Sequence, residues 1–140
     1  MQRNTTANHN TAVGYHALYQ NVTGTRNSAF GSRAMFYNTG SDNNTFGEQS
    51  LYSNSGAGNN AFGNGALYGN TSGSENNAVG YGSLSANTTG SGNTAIGSRS
   101  LNVNTTGSNN TVIGNNANVG ANNLTNATAI GNGAIVQPAG

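Results

Sequence analysis

The chain has 140 residues, enough for one domain, and Asn, Gly, Ser and Thr dominate over the apolar residue types. Four basic and three acidic residues give a net charge of +1, which argues against a nucleic-acid partner or an anionic membrane surface. Disulfides and thiolate metal sites are excluded because there is no Cys, and no apolar run approaches the roughly 20 residues needed for membrane insertion.

One motif, Asn-x-Ala-apolar-Gly, recurs with variations along the chain. Its closing glycine, taken here as position 0, recurs at steps of 16 or 17 residues: Gly14, Gly31, Gly47, Gly63, Gly80, Gly97, Gly114 and Gly131. A unit this short with two turn glycines cannot hold a helix pair, but it suits one rung of a solenoid. We therefore predict an all-β fold, a parallel β-solenoid or β-roll of about eight 17-residue rungs.

The chain divides into three segments by its repeat pattern. Residues 1–9 precede the first copy, so we expect an N-terminal segment that is partly frayed. Residues 10–136 should form the β-roll domain, with one strand of each rung near positions −4 to 0 and a second near +3 to +6. Pro138 cannot donate to a strand ladder, so the roll should stop near Val136 and leave 137–140 as a C-terminal tail.

Stacking the rungs places like residues in columns. Position −1 is apolar in all eight copies and +4 in seven, so we predict that these two columns form the core. Position −2 is mostly Ala beside the Gly of position 0, which predicts a small-residue face packed against other copies of the chain. Asn recurs at −4 and +7, where stacked side chains should form amide ladders along the axis.

Rung 7 departs from the pattern. Asn118 replaces the apolar residue at +4, and Leu124 stands where the second turn glycine is expected. This break predicts a bulge, a change of rung shape or the end of the roll.

The motifs Asn93-Thr94-Ala95-Ile96-Gly97 and Asn27-Ser28-Ala29-Phe30-Gly31 resemble the head repeats of trimeric autotransporter adhesins. The resemblance covers about residues 10–136, in the longer form seen in bacterial surface fibres and phage-like tail-fibre proteins. It implies a left-handed β-roll of three intertwined chains, so that the main partner is a second and third copy in a parallel homotrimer. It also implies an extracellular place on a cell or particle surface, as a fragment of a longer secreted protein.

The function that the resemblance implies is that of a structural or adhesive fibre segment contacting a host, a prey or a surface ligand. That ligand would be a cell-surface glycan or a protein receptor. Binding is expected in the columns that vary between copies, namely +1, +2 and +5. The candidate ligand-binding residues there are Tyr15, His16, Tyr19, Arg33, Tyr52, Tyr68 and Tyr81.

The +5 column contains four aromatic residues in succession: Tyr19, Phe36, Tyr52 and Tyr68. One interpretation is packing between chains. The other is a strip on which sugar rings stack, with amides such as that of Gln49 bonding the hydroxyls.

No catalytic set is present in the sequence. Asp42 and Glu75 fall in one column two rungs apart, which makes a weak acid–base pair, and Arg26 should pair with Asp42. His9 and His16 have no further ligands beside them for a metal. We therefore predict that the protein is not an enzyme and needs no cofactor or metal.

Three alternatives differ in class from an adhesive fibre. An ice-binding solenoid needs a flat Thr array, but the −3 column is interrupted by Asn44, Asn60 and Asn77. A polysaccharide-processing enzyme on a solenoid usually has larger rungs and clustered acids. The third is a purely structural shaft, with binding located elsewhere in the full-length protein.

Overall fold

A computed structural model describes residues 7–138, and within that range the protein is all-β without a helix. Its strands are β1 (Thr11–Val13), β2 (Ser28–Phe30), β3 (Tyr37–Asn38), β4 (Asn44–Phe46), β5 (Ser53–Asn54), β6 (Asn60–Phe62), β7 (Asn77–Val79), β8 (Thr94–Ile96), β9 (Thr111–Ile113), β10 (Asn118–Val119), β11 (Thr128–Ile130) and β12 (Ile135–Val136). Part of the expected frayed segment 1–9, residues 1–6, lies outside the described residues, as do residues 139–140 of the tail.

The main sheet has eight strands in the order β1-β2-β4-β6-β7-β8-β9-β11, and each strand pairs in parallel with the strand one repeat later. Ala61 lies opposite Ala78, for example, and Phe62 opposite Val79, so like positions stack. The predicted parallel β-solenoid is confirmed. Because a turn is complete only when the chain reaches the next strand, the eight copies make about seven full turns.

The main strand faces the opposite way to the prediction. Position −2 points inward, where Ala61, Ala78 and Ala95 are fully buried, and position −1 points outward, where Phe46 is 62% exposed. Since side chains alternate along a strand, the two columns cannot share a face. The core instead combines small residues at −2 and +3 with Leu or Met at +4. One large side chain fills the narrow interior of a 17-residue rung, so the strand across from it contributes only a small one.

The expected second strand at +3 to +6 is wrong for most rungs. The chain instead makes a tight turn over about positions +1 to +5. In this turn the +2 residue has positive φ in every rung and the +4 residue in six, including Leu67 and Leu84, each with φ 54°. A left-handed residue with a side chain costs about 1 kcal/mol, and full burial of a Leu offsets it by about 1.5–3 kcal/mol. Extended pairs remain only in β3 with β5 and in β10 with β12.

The amide ladders are confirmed in both Asn columns, and each buried Asn makes several hydrogen bonds. In the −4 column, Asn59 Nδ2 donates to Asn43 Oδ1 at 3.1 Å and to the Gly73 carbonyl at 3.0 Å. Its Oδ1 accepts the backbone N–H of Asn76 at 3.0 Å and Asn76 Nδ2 at 3.1 Å. The ladder therefore ties each rung both to its neighbours and to its own turn.

The +7 column repeats this arrangement from the other side of the turn. Asn70 Nδ2 donates to Asn54 Oδ1 at 2.7 Å and to the Gly73 carbonyl at 2.9 Å. The two Asn columns thus share the carbonyl of the same turn glycine. The column ends at Asn104, whose buried Oδ1 has no partner among the described residues because Ala121 occupies the next +7 position.

Rung 7 changes shape, which is one of the outcomes that its sequence predicted. Asn118 and Val119 are extended in β10, and Val119 is buried in place of the usual residue at +4. The Leu124 carbonyl occupies the place of the turn-glycine carbonyl of other rungs and accepts a hydrogen bond from Asn110 Nδ2 at 2.6 Å.

Candidate functional site

The +5 rings form a continuous stack along one side of the solenoid. Ring centroids lie 5.1 Å apart between Tyr19 and Phe36, 5.4 Å between Phe36 and Tyr52, and 5.4 Å between Tyr52 and Tyr68. The planes are inclined by 14–23°, so the rings are stacked rather than edge-on. This spacing follows the rung spacing of about 4.8 Å. We call these four residues the aromatic strip.

Two further predicted site residues lie beside the first rings of the aromatic strip. His16 lies 4.3 Å from the Tyr19 ring, and Tyr15 stacks on His16 at 3.9 Å, both measured between centroids. The structure therefore brings Tyr15, His16, Tyr19, Tyr52 and Tyr68 into one group. It leaves Arg33 exposed in the same column as His16, and places Tyr81 beyond the other end of the strip.

The aromatic strip ends at Tyr68 because Ser85 occupies +5 in the next rung. Beside Tyr68 lies a concavity of about 490 Å³, called the notch here, whose polar and aromatic lining side chains are Gln49, Asn64, Tyr68, Tyr81, Ser85, Arg99 and Asn102. The Arg99 guanidinium carbon lies 5.8 Å from the centre of the Tyr81 ring, in a cation–π contact.

Sequence analysis did not single out Arg99, Asn64 or Asn102 as site residues. Their signal was present, because Arg99 shares column +2 with His16 and Arg33. What the repeat pattern did not show is which side chains of neighbouring rungs lie next to each other. Arg99 donates its backbone N–H to the Tyr81 carbonyl at 2.8 Å, which brings the +2 side chain of one rung next to the +1 side chain of the rung before.

A second surface is the outside of the eight-stranded sheet, made by columns −1 and −3 and called the outer sheet face here. Its apolar column is Val13, Phe30, Phe46, Phe62, Val79, Ile96, Ile113 and Ile130. Phe46 is 62% and Ile130 67% exposed, and the rings of Phe30 and Phe46 stack at 6.0 Å. A shallow groove of about 290 Å³ runs beside the three Phe side chains.

Column −3 of the outer sheet face is polar and uncharged. Asn44 Nδ2 donates to Asn60 Oδ1 at 3.1 Å, and Asn60 Nδ2 donates to Asn77 Oδ1 at 2.8 Å. The middle of the column therefore bonds to itself rather than offering a regular Thr array. This arrangement gives no support to the ice-binding alternative.

The predicted surface ion pair is confirmed: Arg26 Nε lies 2.5 Å from Asp42 Oδ1, and its Nη2 lies 2.8 Å from Oδ2. The hydrogen bond from Arg26 lowers the pKa of Asp42, so the contribution of this pair to stability is lost as pH falls through the lowered pKa. Both side chains are well exposed, so solvent screens the pair and its effect is small.

Among residues 7–138, no group of three or more His, Cys, Asp or Glu side chains is placed to hold a metal ion. Within the same residues, no helix is long and apolar enough to cross a membrane. Compared with protein-family models, curated proteins and solved structures, the chain has no match.

Proposed function

We propose that this chain is a structural and adhesive segment of a surface or tail fibre, in which three parallel copies associate through the outer sheet face. The observation that carries the proposal is the −1 column, which is apolar in every repeat and yet lies on the outside of the single chain. A long apolar patch rimmed by polar side chains is typical of an interaction site.

The properties of the outer sheet face fit a second copy better than an unlike partner. Columns −1 and −3 hold no charged residue, so the face has nothing to pair with a charged surface. Its side chains repeat at the rung spacing of about 4.8 Å, and another copy of the chain carries the same spacing. Burying one such side chain contributes about 1.5–3 kcal/mol, and the column offers eight of them.

A closed ring of three identical chains around one axis requires that all three point the same way. Parallel association also places Phe residues against Phe residues and Ile against Ile along the fibre. The number three rests on the resemblance to the trimeric adhesin repeats. The same resemblance supports an extracellular place on a cell or particle surface, where the fibre would meet a host, a prey or a surface ligand.

The aromatic strip would stay available in such a fibre. Core residues at −2 and +4 face each other across the interior of the rung, so their outward neighbours at −1 and +5 lie on opposite sides. Association through column −1 therefore does not cover column +5. This separation of two surfaces supports a segment that both assembles and binds.

Light scattering coupled to size exclusion tests the proposal. We expect the mass of a trimer of 14.1 kDa chains for the natural sequence. A double variant in the −1 column, Phe46→Asn/Phe62→Asn, should give a folded monomer, because amides replace the apolar side chains that would be buried between chains.

The matched control replaces two residues that are similarly exposed but lie outside the outer sheet face, Tyr37→Asn with Val103→Asn. These residues are 46% and 43% exposed, against 62% and 45% for Phe46 and Phe62. The control should remain trimeric. A monomeric natural chain, or equal masses for the two double variants, would contradict the proposal.

A further inference from the structure

We propose that the notch binds an acidic sugar: a pyranose ring that stacks on Tyr68 while its carboxylate pairs with Arg99. This inference deepens the adhesive part of the proposed function and rests on it. The site itself is built within one chain, so it is testable whether or not the chains associate.

Among the described residues, the Tyr68 ring stacks on another ring through only one of its faces. One face of its ring stacks on Tyr52 at 5.4 Å, and the side chain is 45% exposed. The next residue in the column is Ser85, whose carbonyl accepts the Gly69 N–H at 3.0 Å, so the rung beneath is present but carries no ring there. A ring stacked on Tyr68 at the rung spacing would lie at the level of Ser85, in the place that an aromatic side chain fills in the preceding rungs.

A pyranose is such a ring. The C–H groups on one of its faces make an apolar patch that packs against an aromatic ring. At the other end of the aromatic strip, His16 lies 4.3 Å from Tyr19 and Tyr15 stacks on His16. At that end the protein's own rings contact Tyr19, whereas Tyr68 has a ring contact only with Tyr52 among the described residues.

The notch also contains side chains that can form hydrogen bonds with a ligand. Asn102 Oδ1 accepts Asn118 Nδ2 at 2.6 Å, which leaves the Asn102 amide N–H groups to donate. Asn64 Nδ2 lies 3.4 Å from Glu48 Oε2, which leaves its Oδ1 to accept. With Gln49 opposite, the notch offers both donors and acceptors, which suits the hydroxyls of a sugar.

The notch carries one positive charge, on Arg99. Arg99 is exposed and is the single charged residue that lines the notch, and the described residues hold no ion pair to it. Its guanidinium is oriented by the Tyr81 ring at 5.8 Å. A planar guanidinium pairs with a carboxylate through two parallel hydrogen bonds, which a neutral hydroxyl cannot match. The charge therefore selects an acidic sugar over a neutral one.

The volume of the notch agrees with this ligand. About 490 Å³ falls within the range of about 300–1,000 Å³ that small-molecule sites occupy. The open shape suits one residue of an oligosaccharide whose neighbours continue along the surface.

The test is a calorimetric titration of the natural chain with trigalacturonate and with its carboxyl-reduced, neutral counterpart. We expect trigalacturonate to bind roughly tenfold or more tightly than the neutral trimer. Arg99→Gln should remove this difference, and Tyr68→Ser should abolish binding of both sugars. Tyr68→Phe keeps the ring and should keep the binding.

Arg26→Gln is the control for Arg99→Gln, because it removes an exposed Arg outside the notch and should leave both affinities unchanged. Circular dichroism of each variant checks the fold. Equal affinity for the two trimers, an unchanged preference in Arg99→Gln, or no binding by the natural chain would overturn the proposal.

Repeating the titration on the double variant Phe46→Asn/Phe62→Asn separates the notch proposal from the fibre proposal. Binding that survives in a monomer supports the notch independently of assembly. A natural chain that is trimeric but does not bind overturns only the notch, and one that binds but is monomeric overturns only the fibre.

Discussion

At the scale of single residues, the buried Asn side chains carry much of what holds one rung to the next. Asn59 makes four side-chain hydrogen bonds and is fully buried, as are its neighbours Asn43 and Asn76. An amide suits this role because it both donates and accepts, so each member of a column can bond the members above and below it.

Asn59→Ala should therefore be costly. It leaves the backbone N–H and the Nδ2 of Asn76 without their buried acceptor, and each unsatisfied group costs about 1–3 kcal/mol. We expect the free energy of unfolding in urea to fall by about 3 kcal/mol or more. Asn123→Ala, at an exposed turn position, should change it by less than about 0.5 kcal/mol, and similar losses in both variants would contradict this role.

Glycine at position 0 is required by space as well as by conformation. Gly63 has φ +140°, and a Cβ built on it would lie 2.4 Å from the carbonyl oxygen of Gly80 in the next rung. The backbones of adjacent rungs thus pass too close for any side chain. Position +2 differs from position 0. Gly occupies it in some rungs, but in others residues with side chains, such as Arg99 and Gln49, adopt the same left-handed φ.

Two Gly→Ala variants separate these causes. Gly63→Ala should prevent stable folding or lower the thermal midpoint strongly, since the clash is with backbone. Gly65→Ala has φ +66° and open space around its Cβ, so it should cost only about 1 kcal/mol. Thermal unfolding followed by circular dichroism measures both, and equal midpoints would show that close approach at position 0 is not limiting.

At the scale of elements, the turn after +7 absorbs the difference between rungs of 16 and 17 residues. Asn21 Nδ2 bonds the Gly24 carbonyl at 2.8 Å across three residues, and Asn38 Nδ2 bonds the Gly40 carbonyl at 2.8 Å across two. The same hydrogen bond closes both turn lengths. The shorter turns occur in the two rungs that contain β3 and β5.

This difference between turn and strand predicts the outcome of two one-residue insertions in one rung. A Thr inserted between Thr39 and Gly40 recreates the longer turn and should change stability by less than about 1 kcal/mol. An Ala inserted between Ala29 and Phe30 moves Ser28 into the Asn ladder or displaces Gly31 from position 0, so it should cost several kcal/mol. Urea unfolding compares them, and a strand insertion as mild as the turn insertion would contradict the model of fixed columns.

At the scale of the whole molecule, two long surfaces lie on opposite sides of one narrow core. The outer sheet face is uncharged and carries an apolar −1 residue in all eight copies, whereas the aromatic strip occupies four copies and stops at the notch. Uniformity along the full length suits assembly, and local variation suits recognition. The two double variants and the sugar titration test these roles separately.

The sequence by itself determined the parallel solenoid, the Asn ladders and the Arg26–Asp42 pair. All three depend on spacing alone, because a fixed repeat stacks like residues at one strand spacing. The change of shape at rung 7 was also visible, since Asn118 interrupts a column that is otherwise apolar.

Only the tertiary structure decided which face of the main strand is inside and where the notch forms. Alternation separates Ala78 from Val79 but does not say which of them points inward. The +1 to +5 segment turns through left-handed residues and places Leu84 in the interior. The space that remains beside Leu84 decides which residue points inward, and Ala78 is the one that fits. The notch likewise joins Tyr68, Tyr81 and Arg99 from three successive rungs, a proximity that the repeat pattern within one rung does not contain.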